Sequence, residues 1–270
     1  MNQSEKIRIG AVSYLNTKPL IESLSQRCDQ IELSLELPSR LAKQLADGDL
    51  DVALIPSVEA FRSPDATIVS DACIGCRGPV WSVKLISRRP FGEIRSVALD
   101  EGSRTSVGLI QVLLWKRFGI QPIVSSLPIY QDPSTSKCDA VLVIGDRAMH
   151  VSTDEFGYQW DLGDQWCQWT ELPFVFAMWV TRDAHPTPEL IQALTDARDY
   201  GVEHIDEIAE REAAHFGLTV EDCSGYLRDN LHFYLGADER KALDLFQSQL
   251  LELNLITETK KLNFYECQTS

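Results

Sequence analysis

Short apolar, β-branched runs alternate with amphipathic stretches through the first two thirds of the chain, and this alternation constrains the fold most. Ile7–Val12 (IRIGAV) reads as a strand, and residues 19–25 as a helix opened by Pro19, whose missing N–H costs nothing in a first turn. Residues 31–37 alternate apolar and polar, the period of a half-buried strand. Ser39 can cap a helix with Leu41, Ala42 and Leu45 on its buried face and Gly48 beyond its end. Residues 51–55 then read as a short buried strand, and residues 67–74 and 80–86 as two further apolar segments. The pattern restarts with a strand over 96–99, a helix over Thr105–Phe118 ended by Gly119, an extended segment over 122–129 and a buried strand at Ala140–Ile144. Residues 173–181 (PFVFAMWVT) are strongly β-like, and beyond Pro188 the chain turns helical over 188–216, 220–233 and 238–255. Such alternation implies an α/β fold with largely parallel strands.

The run SRRPFG at 87–92 marks a crossing into a second unit, and residues 172–182 mark the return. Two lobes are expected, residues 1–90 plus 180–270 in one and 91–179 in the other, with a hinged cleft between them. Ligands of open α/β sheets bind beyond the carboxyl ends of the strands. That rule places the strand-to-helix turns at the cleft.

The totals narrow the function. A chain of 270 residues can bury a sizeable core. A formal net charge of −15 argues against nucleic-acid binding, which needs basic surface, but leaves room for a small anion held by local donors. No secretory pattern opens the chain, and no apolar run reaches the roughly 18 residues that suggest a membrane span. Seven cysteines lie scattered without a disulfide framework. A cytoplasmic location with reduced thiols is therefore expected.

Four segments can carry chemistry. Residues 13–18 (SYLNTK) join the first strand to the first helix. Ser13, Tyr14, Asn16 and Thr17 supply hydrogen-bonding groups, Lys18 supplies charge, and a helix N-terminus favours an anion. Residues 100–106 (DEGSRTS) repeat the arrangement, with Ser103, Thr105, Ser106 and the guanidinium of Arg104. Both segments also read as ordinary caps, and spacing alone does not separate the two readings. Their pairing, one per lobe, suits a small ligand with two acidic groups. In the third, RGPVWSVK at 77–84, Gly78 and Pro79 set a turn, and alternation puts Val80, Ser82 and Lys84 on one face. That face is either the cleft wall or solvent. In the fourth, IGDRA at 144–148, Asp146 and Arg147 suggest a surface or hinge ion pair. Cys73 and Cys76 have C-x-x-C spacing but no second half-site, the histidines at 150, 185, 204, 215 and 232 lack a zinc spacing, and no dinucleotide, P-loop or nucleophile-elbow motif occurs.

Together these stretches resemble a known family. SYLNTKPL (13–20), DVALIPSV (51–58), RGPV (77–80) with SVKL (82–85), ALD (98–100) with SRTS (103–106), IGDRA (144–148) and LPFVF (172–176) look like the chorismate dehydratase of the futalosine route to menaquinone. The match runs in order over most of residues 6–182, and the C-terminal helices match in character only. The resemblance implies a two-lobed fold of the type II periplasmic-binding-protein kind with a hinged inter-lobe cleft. It implies loss of water from chorismate, the small-molecule substrate, to give 3-[(1-carboxyvinyl)oxy]benzoate, with no metal or organic cofactor. It assigns Asn16 to catalysis and Ser82 to substrate contact. Trp81 stands where many members carry Arg, so a carboxylate is expected to be held by Lys84 or Arg104 instead. The family often has a residue other than Cys around Cys76, which weakens a metal reading.

The residues fit that reading. Aromatisation drives the elimination, so the site needs positioning more than strong acid–base groups. The motifs offer amides, hydroxyls and helix N-termini but no evident base. The substrate's enolpyruvyl carboxylate is then expected to take the proton while Asn16 orients the ring hydroxyl. Three rivals share the fold: a small-dianion binder, a sibling enzyme of the same pathway acting on a nucleoside, and a ligand-sensing domain. The sequence leaves the oligomeric state open.

Overall fold

A computed structural model of the chain describes residues 6–27, 31–183 and 186–265. Strand β1 (Ile7–Val12) leads through a 3-10 turn into two one-turn helices, α1 (Lys18–Ile21) and α2 (Leu24–Arg27). Strand β2 (Ile31–Glu36), helix α3 (Pro38–Asp47), strand β3 (Val52–Pro56), helix α4 (Ser57–Arg62) and strand β4 (Thr67–Cys76) follow. The next unit holds β5 (Val83–Ser87), β6 (Ser96–Asp100), α5 (Thr105–Phe118), β7 (Ile123–Leu127), β8 (Ala140–Ile144), α6 (Asp146–Met149), β9 (Tyr158–Asp161) and α7 (Leu162–Thr170). Strand β10 (Phe174–Thr181) returns to the first unit. Helices α8 (Pro188–Glu203), α9 (Ile205–Glu212) and α10 (Val220–Gly225), strand β11 (His232–Tyr234), helix α11 (Ala237–Glu252) and strand β12 (Asn263–Phe264) complete it.

The strands form two sheets. One has the order β11-β4-β10-β3-β1-β2, with β12 beside β4, and the other β7-β6-β8-β5-β9. The expected two-unit α/β architecture is present, but the sheets are mixed rather than largely parallel. Strands β1, β2 and β3 run parallel, as do β6, β7 and β8, whereas β10 runs antiparallel to β3 and β4, and β5 antiparallel to β8 and β9. The reversed strands β5 and β10 are the ones at the crossings, and the short β11 also runs antiparallel to β4. A chain that leaves one sheet and later re-enters it comes back from the opposite direction.

Sheet membership also moves the lobe limits. Strand β5 lies in the second sheet and β10 in the first. The outward crossing therefore falls between Cys76 and Val83, ahead of the limit at residue 90, and β10 joins the first lobe ahead of the limit at 179. The apolar run 80–86 and the PFVFAMWVT run look alike by pattern, and nothing local says which sheet each enters.

Alternation along the second sheet divides its two faces. Leu85, Val97, Leu99 and Leu142 join the main core, which continues into the first sheet. Ile86, Ala98, Val141 and Val143 join a smaller cluster on the far side with Leu127 and Phe156. One continuous core thus ties the lobes together, and the aromatic rings of Trp166, Phe174 and Phe246 meet edge-to-face within it. The region 220–233, expected as one helix, divides into α10, a π-helical turn over Tyr226–Asn230 and the short strand β11. Among the described residues no helix is long and apolar enough to cross a membrane.

Helix α1 is pinned from behind by α8. A Cβ on Gly201 would sit 1.9 Å from the carbonyl oxygen of Pro19, so the two backbones touch. In an ordinary helix interior Gly→Ala is stabilising. Here Gly201→Ala is expected to lower the stability by about 1–3 kcal/mol through overpacking. Urea denaturation reads the sign directly, and a stabilised variant would show that α1 and α8 do not meet in this way.

Candidate active site

The cleft wall begins at a turn that one carboxylate holds. Asp161 caps α7, and its side chain accepts hydrogen bonds from the N–H groups of Val80 (2.9 Å), Trp81 (2.6 Å) and Asp164 (3.1 Å). Trp81 is driven to φ 63°, a conformation bulky residues avoid. Ser82 N–H closes a three-residue turn on Val80 O at 2.7 Å, and Ser82 O accepts from Gly145 N–H at 2.8 Å. Burial raises the Asp161 carboxyl above its ordinary range, opposed by those N–H donors. The strand starts only at Val83, so the face expected from Val80, Ser82 and Lys84 does not form. Ser82 lines the cleft, while Lys84 does not; Lys84 is buried in the second sheet, and burial lowers its pKa.

The first strand–helix turn does not form the expected open anion cup. Residues Leu15–Thr17 are a 3-10 turn, and α1 is only four residues long. The N–H of Leu15 donates to Asp146 Oδ1 at 3.1 Å, so a carboxylate from the second lobe already occupies that donor. Tyr14 and Asn16 line the cleft. Ser13 is exposed away from it, and its N–H bonds Glu36 O. Thr17 is fully buried and lies 3.3 Å from Asn16 Oδ1, to which its hydroxyl donates. Lys18 turns outward to Glu212 at 3.0 Å. Tyr14 packs its ring against Gly145 of the second lobe, where φ 66° and a 3.1 Å approach to any Cβ both call for glycine.

The second turn stays open. Ser103, Arg104, Thr105 and Ser106 all line the cleft at the start of the 14-residue α5. Thr105 is committed to the protein: its hydroxyl donates to Phe176 O at 3.0 Å and accepts from Val58 N–H at 3.4 Å, bridging the lobes. The side chains of Ser103, Arg104 and Ser106 have no hydrogen-bond or ion-pair partner among the described residues. Their donors converge where the helix N-terminus adds its own. The Asp146–Arg147 ion pair expected from adjacency is replaced by Arg147–Asp100 at 2.6 Å. Neighbours on a short helix point apart, whereas Asp100 ends the neighbouring strand and meets the guanidinium. Arg147 also holds the carbonyls of Pro128 (3.2 Å), Ile129 and Gln131 (3.2 Å).

The cleft holds about 560 Å³, counting the part open to solvent. Val12, Ile74, Val80, Val83 and Phe176 give it apolar walls, and the polar groups named above face in from both lobes. No Asp, Glu or His is among the described residues that line it. Two functional neighbours, Asp161 and Tyr226, escaped the sequence reading, and Asp146 is expected from sequence only as the ion-pair partner of Arg147. The Tyr226 hydroxyl donates to Ser82 Oγ at 2.9 Å, yet its sequence context, CSGYLRD, carries no motif.

The C-x-x-C pair does not assemble. Residues three apart on a strand face opposite ways, and Cys73 approaches His232 O while Cys76 pairs with Cys167. Among the described residues no cluster of three or more His, Cys, Asp or Glu side chains suits a metal. Cys28, His185 and Cys267 lie outside the described residues.

Fold and cleft together define a class: a two-lobed α/β protein of the periplasmic-binding-protein type, with a polar cleft between its lobes. A protein from Archaeoglobus fulgidus shares the fold at TM-score 0.75 and 16% identity, covering 94% of this chain and all of that one. The periplasmic aliphatic sulphonate binding protein of Escherichia coli does so at 0.60 and 16%, covering 99% and 96%. A family model described as menaquinone biosynthesis matches residues 7–252, and the chain belongs to that family. Chorismate dehydratase of Thermus thermophilus is 31% identical over 260 residues, 90% of this chain and 94% of the relative. Chorismate dehydratase of Campylobacter jejuni is 25% identical over 252 residues, 91% and 98% of the two chains.

Asp146 ties the stability of this site to pH. Burial pushes its carboxyl up to about 6, with Leu15 N–H, His150, Lys18 and His215 pulling the other way. The folded chain then binds a proton more readily than the unfolded one, so this group's contribution falls as pH rises from about 4 to about 6. Asp146→Asn is expected to be more stable than the parent at pH 8, on the order of 1–3 kcal/mol, with the gain fading towards pH 4. Paired thermal melts across that range test it, and a pH-independent difference would assign the effect to packing alone.

Proposed function

We propose that this protein is a chorismate dehydratase, a hydro-lyase that eliminates water from chorismate to give 3-[(1-carboxyvinyl)oxy]benzoate for menaquinone biosynthesis. The relatives that share nine tenths of the chain carry that activity in their names. The observation that carries the reading is the chemistry of the cleft. It offers a free guanidinium, free hydroxyls and an amide, and no carboxylate or imidazole among its described lining. A dianionic substrate fits such donors, and an elimination that ends in an aromatic ring can be run by positioning.

In this reading Arg104, Ser103, Ser106 and the first turn of α5 hold one substrate carboxylate. Ser82 donates to the substrate from the opposite wall. The enolpyruvyl carboxylate removes the proton from the ether-bearing ring carbon, the C–O bond of the hydroxyl on the neighbouring ring carbon breaks, and the departing hydroxide takes up that proton and leaves as water. Asn16 orients the departing hydroxyl and stabilises its developing charge. The lobes close about the crossings at 77–82 and 171–173. The cysteines among the described residues are free, which supports work in a reducing cytoplasm.

The test is incubation with chorismate without added metal or cofactor, followed by chromatography and mass analysis. An aromatic product one water lighter supports the dehydratase. Intact chorismate sinks it in favour of the small-dianion binder or the nucleoside-processing sibling, which thermal shift with each ligand class would separate. Asn16→Ala is expected to lower kcat about 10²–10³-fold with little change in KM. Arg104→Gln is expected mainly to raise KM, about 10-fold, through loss of one charge-assisted contact. Ordinary turnover by Asn16→Ala would remove that residue from the mechanism.

A further inference from the structure

The π-helical turn packs behind the cleft wall and touches the 79–82 turn three times. The Tyr226 hydroxyl donates to Ser82 Oγ at 2.9 Å, the Asn230 amide donates to Pro79 O at 2.9 Å, and the Tyr226 ring meets Trp81 edge-on at 5.7 Å between centroids. Tyr226 is 1% exposed and does not line the cleft, so it reaches any ligand only through other side chains. A π-turn inside a helical run costs regular hydrogen bonding and marks a local demand on geometry.

The hydrogen-bond directions form a relay. Thr17 Oγ1 donates to Asn16 Oδ1, which leaves the Asn16 amide nitrogen as donor. Asn16 acts on the Tyr226 hydroxyl to lower its pKa, against the rise that burial causes. Tyr226 spends its only proton on Ser82 Oγ. Ser82 therefore receives a hydrogen bond from behind, and its own proton is left for the cleft. The two residues placed at the reacting end thus share one buried phenol, drawn from a part of the chain more than 140 positions further on.

We infer that Tyr226 is a positioning residue of this site: its buried hydroxyl fixes the Ser82 hydroxyl as a donor towards the substrate. This rests on the dehydratase reading for its substrate and adds to it a role for the C-terminal helices. Tyr226 itself transfers no proton. It sets which way the Ser82 hydroxyl donates and which way it accepts.

The test compares wild type, Tyr226→Phe, Ser82→Ala and the double variant on chorismate, with thermal melts alongside. Phe keeps the ring, its volume and the contact with Trp81. The expected result is a 10–100-fold lower kcat for Tyr226→Phe with KM within about 3-fold, the scale of one lost buried hydrogen bond. The double variant should be no slower than Ser82→Ala, because the phenol acts through Ser82. A second variant guards against a folding defect: 3,5-difluorotyrosine at position 226 keeps shape and proton but strengthens the donor, and should change kcat severalfold at an unchanged melting temperature. Wild-type kcat in both Tyr226 variants, or losses that multiply in the double variant, overturns the inference. A wild type that leaves chorismate intact overturns the dehydratase reading instead, and the wild-type arm shows that separately.

Discussion

The Asp161 carboxylate governs the geometry of the cleft. Its two oxygens take three backbone N–H groups, two from the 80–81 turn and one from its own helix. A carboxylate that accepts several N–H bonds can hold a backbone in a conformation the side chain would refuse, as it does for Trp81. Once Trp81 is left-handed, Ser82 turns into the cleft and its carbonyl meets Gly145. One cap residue of α7 therefore sets the start of β5, the direction of Ser82 and the seam between the 80–82 turn and the 144–146 loop.

The lobes are joined by polar groups as well as by core. Thr105 bridges to Phe176 and Val58, and Asp146 reaches Leu15. Each is a buried or half-buried group whose bond would be lost if the lobes parted, so each favours the closed arrangement. Asp146 has a second consequence. It takes the anion's place at the first turn, which leaves the α5 N-terminus as the open one. In a chain of net charge −15, a cleft whose lining holds Arg104 and no acid among the described residues is a local inversion of the surface field. Such an inversion gives an anion a reason to enter.

The C-terminal helices serve both ends of this arrangement. Arg77, just before the turn, is held by the buried Glu239 at 2.9 Å, and Glu239 also caps α11 through Gly236 N–H. Lys18, just after Asn16, is held by Glu212. Tyr226 sits between these two anchors. The segments around the reacting groups are thus braced from one side by three helices that the motif-bearing first two thirds of the chain do not include.

Periodicity along the sequence determined the α/β class, the two units, most strands and the α5 helix, because burial on one face imprints a period of two or 3.6 on local residue choice. It also determined that two strand–helix turns carry the polar groups, and Tyr14, Asn16, Ser82, Ser103, Arg104, Thr105 and Ser106 do line one cleft. Tertiary structure alone decided which sheet β5 and β10 enter, that Ser13, Thr17 and Lys84 face elsewhere, and that Arg147 pairs with Asp100 rather than with its neighbour. It alone brought Asp146, Asp161 and Tyr226 to the site. Those contacts span 81 to 144 residues, and a hydrogen bond between distant positions leaves no period in the sequence around either partner.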